Sequence, residues 1–281
     1  IVDAMYTGAN YDEFITMKYM LARHILDGHM YPVQIPAVET ANMKQIVSKI
    51  KGVSNQYEFQ SNKYNLAGIY THTKKRDQYI LINSTFDAEM DVEVLASAFN
   101  MSKADFMGQR VLVDSFGSLD TDRLTELFAD DTTFKMPSKN ELTALDEIPA
   151  ILVDRDWFMI FDNFYNFTEQ YNGEGLYWNY WYHVWKTFSV SPFANNALFV
   201  PGIPSVTSVT VSPAAVEASV GQDVQFNAVV VTSNFAPKSV DWTTNSANAE
   251  VDSSGKVTLK DGATGSITVT ATSTFDKTKI D

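Results

Sequence analysis

The sequence predicts an α+β body followed by a separate all-β sandwich, and three observations carry that prediction. From Tyr79 to Val113 a strand pattern, a helix pattern and a second strand pattern follow one another, the order of an α/β layer. The stretch from Ile151 to Val200 concentrates aromatic residues, with Tyr177, Trp178, Tyr180, Trp181, Tyr182, Trp185 and Phe188 between Leu176 and Val190 alone. At Pro201-Gly202-Ile203-Pro204 the composition shifts: from Val206 to Asp281 there is no Met, His or Tyr, and Val, Thr and Ser supply 35 of the 76 residues. That is the composition of many short strands.

The N-terminal apolar spacing reads as an amphipathic helix that takes in Tyr11, Phe14, Met17, Leu21 and Ile25 and ends near Gly28. Pro32 and Pro36 break the chain before a second helix, from about Glu39 to Lys51. Met43, Ile46, Val47 and Ile50 form its apolar stripe and Gly52 is the expected terminator. Tyr79 to Asn83 is a buried strand, Asp91 caps a helix through Phe99, Ser102 caps a shorter one, and Arg110 to Val113 is the next strand. The polar, acidic segment from Phe116 to Pro149 predicts a solvated helix over Thr121 to Phe128 and a surface loop.

Ile151 to Val153 and Phe158 to Phe161 read as short strands, and Gly173-Glu174-Gly175 as a turn into one long element that ends at Val190. Tyr177, Trp181, Trp185 and Phe188 fit a helix face, whereas Leu176, Trp178, Tyr180, Tyr182, Val184, Phe188 and Val190 fit a strand face. The aromatic and valine content favours the strand. So much aromatic area is expected to be core, paired beside elements that precede Gln78 and covered on both faces. Exposed, it would be a sugar platform or a single-strand stacking site instead.

The totals exclude several classes. Zero cysteines remove disulfides and thiolate metal sites. No apolar run approaches the roughly 20 residues that span a bilayer, so no membrane partner is expected, and this portion carries no export signal. The net charge of −13 argues against a nucleic-acid-binding surface.

Site chemistry is sparse. Of the four histidines, His24, His29, His72 and His183, none has a partner at metal-ligand spacing. His24 and His29, five apart, belong on different faces of a helix. Asp120, Asp122, Asp130 and Asp131 lack the glycine and closing glutamate of a calcium loop. Alternation along a strand would put Asp154 and Asp156 on one face with Arg155 opposite, a structural salt bridge or turn cap rather than a catalytic carboxylate pair. No nucleophile elbow, phosphate loop or dinucleotide fingerprint occurs. The expectation is no catalytic residue, no metal site, no cofactor and no enzymatic activity.

The blocks AEMDVEVLASAFNMSKADFMG (88–108), LVDRDWFMIFDN (152–163) and GLYWNYWYHVWKTFSVSPFAN (175–195) closely resemble the major capsid proteins of short-tailed phages of the phi-twenty-nine type. The likeness covers most of residues 1–200, apart from 116–149. It implies the tailed-phage shell fold, with a spine helix and peripheral and axial domains. In such proteins an N-terminal arm and an extended loop precede the spine helix; both are missing ahead of Ile1, so the chain reads as a fragment. The lysine–asparagine crosslinking of some tailed-phage shells uses that loop and is not assigned here.

Five further blocks, VTSVTVSP, SVGQDVQFNAVVV, VDWTT, AEVDSSGKVTL and GSITVTATS, resemble a bacterial immunoglobulin-like domain of group 2. Ser212-Pro213 closes its first strand, Gly221 precedes its second, Trp242 serves its core and Asp252 to Gly255 form a turn; the final strand expected after Lys279 is absent. The domains are therefore drawn as a shell-building unit 1–200, a linker 201–205 and an independent Ig-like unit 206–281.

The resemblance implies a structural subunit of a bacteriophage virion that assembles with copies of itself, as pentamers and hexamers, into an icosahedral shell enclosing DNA without binding it specifically. It also implies scaffolding and portal proteins as assembly partners, the host cytoplasm as the place of assembly, and host-surface glycans as a target of the Ig-like unit. The alternative is a cell-surface adhesin or carbohydrate-binding protein, since such Ig-like units occur in adhesins too.

Overall fold

The computed structural model describes residues 2–90 and 109–281. The helices expected at Asp91–Phe99 and from Ser102 lie outside the described residues. The body is built on a five-stranded mixed sheet in the order β1-β7-β4-β2-β3, where β1 is Pro32–Ile35, β2 Gln78–Asn83, β3 Gln109–Val113, β4 Ala150–Asp154 and β7 Asn196–Pro201. β1 runs parallel to β7 and β2 parallel to β3, while β4 pairs antiparallel with both β2 and β7. The central strands AILVD and NALFVP are apolar almost throughout because both of their faces are covered.

Alternation divides the core in two. Leu152, Phe199, Ile80 and Ile82 face helix α2 (Met43–Gln56), whose Met43, Ile46, Val47 and Ile50 are all buried against them. Ile151, Val153, Leu198 and Val200 face the other way, toward Ala22, Ile25 and Leu26 at the end of helix α1 (Val2–Leu26), together with Leu145, Ile148 and Trp157.

Gly52 does not end α2. It lies on the open side, where an added Cβ would meet nothing within 4 Å, and the helix continues because Val53 and Tyr57 anchor the next turn in the core. A mid-helix glycine costs about 1 kcal/mol, less than those two side chains contribute by burial. The start also differs: Thr40–Asn42 is a 3-10 turn that precedes the α-helix.

Helix α3 (Ser84–Met90) follows β2 directly. The acidic segment holds α4 (Thr121–Leu127), started by the Asp120 carboxylate on the Arg123 amide, where Thr121 to Phe128 was the expectation. The expected surface loop contains another helix, α5 (Lys139–Asp146), opened by a reciprocal capping box between Ser138 and Glu141.

The aromatic segment is not in the sheet. Strands β5 (Phe158–Asn172) and β6 (Tyr177–Val190) form a two-stranded antiparallel ribbon of their own. Beyond Pro201 come seven strands: β8 (Ser205–Ser212), β9 (Asp223–Gln225), β10 (Asn227–Ser233), β11 (Val240–Thr244), β12 (Ala249–Val251), β13 (Lys256–Leu259) and β14 (Val269–Ser273). They pair as β10-β8, β11-β14 and β12-β13-β9, and Trp242 packs against both of the small cores they enclose.

Candidate functional site

The β5–β6 ribbon is the candidate contact surface. Its turn is fixed by the Asn172 carboxamide oxygen, which accepts from the amides of Glu174 (3.1 Å) and Gly175 (3.0 Å), while Leu176 takes a left-handed φ of 53°. Pairing runs from Phe158 opposite Val190 to Asn172 opposite Tyr177, with a register shift between Asp162 and Phe164. Residues directly opposite across an antiparallel pair share a face, so the register sorts the aromatics.

One face turns toward α1. There Tyr182 meets Tyr6 edge to face at 4.8 Å, and the Lys186 ammonium lies 2.5 Å from Glu13 and 2.8 Å from Asp162. Hydrogen bonds from the Lys186 ammonium to Asp162 and Glu13 raise the lysine's pKa. The other face carries Phe161, Phe164, Tyr177, Trp181 and Trp185, all 42–66% exposed. The α1-side face is only partly covered too, since Tyr165, Tyr171 and Trp178 on it are 73%, 47% and 51% exposed, so most of the aromatic run is a displayed surface and not the expected core. The signal against burial is in the sequence: Asn166, Thr168, Gln170, Asn179 and His183 interleave with the aromatics on the face of Trp181 and Trp185, a polar content that a covered face would not carry.

The ribbon is tied to the body by α1, which is pinned along its length. Arg123 of α4 donates two 2.8 Å hydrogen bonds to the Asp12 carboxylate, and the Tyr11 hydroxyl donates to Asp120 at 2.6 Å, which holds Asp120 below the usual carboxylate range. Buried Lys18 reaches Asp114 at 2.7 Å and the Ser118 carbonyl at 2.5 Å. It borders an apolar hollow of about 440 Å³ between α1 and β2–β3, where Met17, Leu21, Leu81 and Val111 are among the lining residues.

The titratable groups singled out by sequence fall in three places. His24 and His29 come together rather than apart, their rings 4.9 Å from centre to centre and edge to face, because α1 ends at Leu26 and the chain turns back. His24 also meets the buried Trp157 at 5.5 Å. Burial first, and the neighbouring His29 second, push its pKa down to about 4. His72 and His183 are exposed and elsewhere.

Asp154 and Asp156 do not share a strand face. Asp154 ends β4 and caps the turn that follows, accepting from the Asp156 amide at 2.9 Å and from the Thr73 hydroxyl. Asp120 and Asp131 likewise cap their own turns, the latter held acidic by Thr133. Among the described residues no three of His, Asp and Glu converge as metal ligands, and no helix is long and apolar enough to cross a membrane.

A family model described as phi29-like phage major capsid protein matches residues 1–200, and one described as bacterial Ig-like domain (group 2) matches residues 205–280. The chain is 32% identical over 279 residues to the major capsid protein of Bacillus phage PZA, covering 97% of this chain and 56% of that protein. It is 30% identical over 280 residues to the major capsid protein of Bacillus phage B103, with the same coverage. It thus spans about half the length of the curated relatives it matches. A chain from the capsid structure of Staphylococcus phage Andhra is similar at 17% identity and a TM-score of 0.48, covering 71% of this chain and 62% of that one.

Proposed function

The chain belongs to the family of phi29-like phage major capsid proteins, and on that premise we propose that it serves as a structural subunit of a bacteriophage shell. The match of the family model over the whole of residues 1–200 carries this reading. The displayed aromatics of the β5–β6 ribbon support it, because exposed Trp, Tyr and Phe side chains interleaved with polar ones are what a subunit offers to a neighbouring surface.

In this reading the protein contacts other copies of itself in pentamers and hexamers, and works with scaffolding and portal proteins in the host cytoplasm. The enclosed DNA is not specifically bound, which the net charge of −13 favours. Residues 1–200 build the shell, 201–205 link, and 206–281 form an Ig-like unit that reaches host-surface glycans. No catalytic residue or metal is assigned.

Quantitative mass spectrometry of purified virions tests the proposal. Peptides from this chain should be the most abundant structural component of the particle. A stoichiometry of a few copies per particle would refute a shell role and favour an accessory or adhesive one.

A further inference from the structure

The Ig-like unit, expected as an independent sandwich on a short linker, also touches the body, and one loop makes the contact. Between β10 and β11 the backbone takes left-handed φ values at Asn234 (47°) and Phe235 (56°). Asparagine takes such values readily, but a bulky residue such as Phe235 holds them only where its surroundings over-determine it. Here the bend sends two successive side chains to different places. Phe235 packs against the body core that contains Ile25, Leu198 and Val200, while Ala236, fully buried, stays in the core of the sandwich.

Two further contacts fix the same spot. The Lys238 ammonium donates to the Leu26 carbonyl at 2.6 Å, placing a cation at the C-terminal end of α1 where the helix dipole favours one. Gly28 follows with a φ of +74°. A Cβ there would lie 2.9 Å from the Ala236 carbonyl oxygen and 3.0 Å from the Lys238 amide nitrogen. The sandwich backbone thus rests where any other residue would carry its side chain. On the linker, the Asn234 carboxamide donates to the Ile203 carbonyl at 2.9 Å.

We propose that this contact is a rigid lock, in which Gly28 and Lys238 are positioning residues that make the Ig-like unit a fixed extension of the C-terminal end of α1. Its orientation is set by the Phe235 wedge and not by Gly202, Ile203 and Pro204, the part of the 201–205 linker that lies between strands β7 and β8. The unit therefore presents one face of itself in one direction relative to the body.

The chain contains no cysteine, so spin labels can be placed at will on exposed Lys49 of α2 and Ser253 of the sandwich as a doubly labelled variant. Pulsed electron–electron resonance on it should give one narrow distance distribution. Gly28→Val should abolish the narrow peak and replace it with a broad one. Lys238→Met, which leaves Gly28 and its close backbone contact untouched, should broaden it less. Circular dichroism shows whether each variant is folded, and if Gly28→Val is not, Lys238→Met and Phe235→Ser decide. A broad distribution in the parent, or a narrow one that survives in every folded variant, overturns the lock.

Discussion

Strands β4 and β7 and strands β5 and β6 are written in much the same apolar alphabet, yet the first pair is buried on both faces and the second is largely displayed. The difference lies in neighbours. β4 and β7 each have a strand on both edges and helices over both faces, so nearly every side chain meets protein. The ribbon has two strands and is 15 and 14 residues long, roughly 45 Å at the usual rise. Among the described residues α1 lies along one face of it, and the body core covers Phe158 and Val190 at its base. A two-stranded hairpin alone is marginal in water, so the ribbon holds its shape through α1 and its cross-strand aromatic pairs.

The comparison breaks first at the centre of the sheet. Phe199 is fully buried between α2 and the neighbouring strands, and Phe199→Ala should cost about 3–5 kcal/mol in urea unfolding. A loss under about 1 kcal/mol would mean that β7 is no more essential than the ribbon.

At the junction of the two regions, where Trp157 links β4 to β5, acidity is the lever. The His24 pKa is about 4 in the folded protein and about 6.5 when unfolded. The unfolded chain therefore binds more protons between those values. Stability is complete above about pH 6.5, declines as pH falls toward 4, and loses nothing further from this group below that. Allowing for the partial exposure of the ring, the loss should be about 1–2 kcal/mol. His24→Gln should flatten stability against pH in that window, and an unchanged slope would assign the acid sensitivity elsewhere.

Weaker still is the tie between ribbon and helix. Lys186→Met removes a partly exposed ion pair to Glu13 and Asp162 and should cost about 0.5–1 kcal/mol. A cost above about 2 kcal/mol would make the ribbon part of the cooperative core. Smallest of all, Trp185→Ser on the displayed face should shift monomer stability by no more than about 0.5 kcal/mol while reducing self-association in sedimentation. Lost stability with unchanged association would invert the roles assigned to the two regions.

Much of the body was legible in the sequence because its strands are short and bounded by turn residues. Tyr79–Asn83, Ile151–Val153 and the stripe Met43, Ile46, Val47, Ile50 all appear where periodicity puts them. The ribbon was legible as strand but not as surface, since aromatic density reports the size of the apolar area and not what covers it. α5 was readable in Ser138-Lys139-Asn140-Glu141, a capping box inside a segment otherwise dominated by acidic residues. Long-range events were beyond local pattern: Gly52 is carried through by Val53 and Tyr57, and His24 meets His29 only because the chain reverses after Leu26. The same limit hid the docking of Phe235 on a core that takes in Ile25, 210 residues earlier in the chain (235 − 25).

The place of β7 in the middle of the sheet has a consequence for synthesis. β1 pairs with β7 through Pro32 and Leu198, 166 residues apart (198 − 32). At ribosomal speeds of about 5–20 residues per second, β1 and α2 leave the exit tunnel roughly 8 to 33 s before their partner strand exists. During that wait Ile35, Met43, Ile46 and Ile50, which end fully shielded, have nothing complete to pack on. Nascent chains that share a polysome are exposed to one another in that interval, so the yield of this protein should depend on translation rate and chaperone supply more than its final stability suggests.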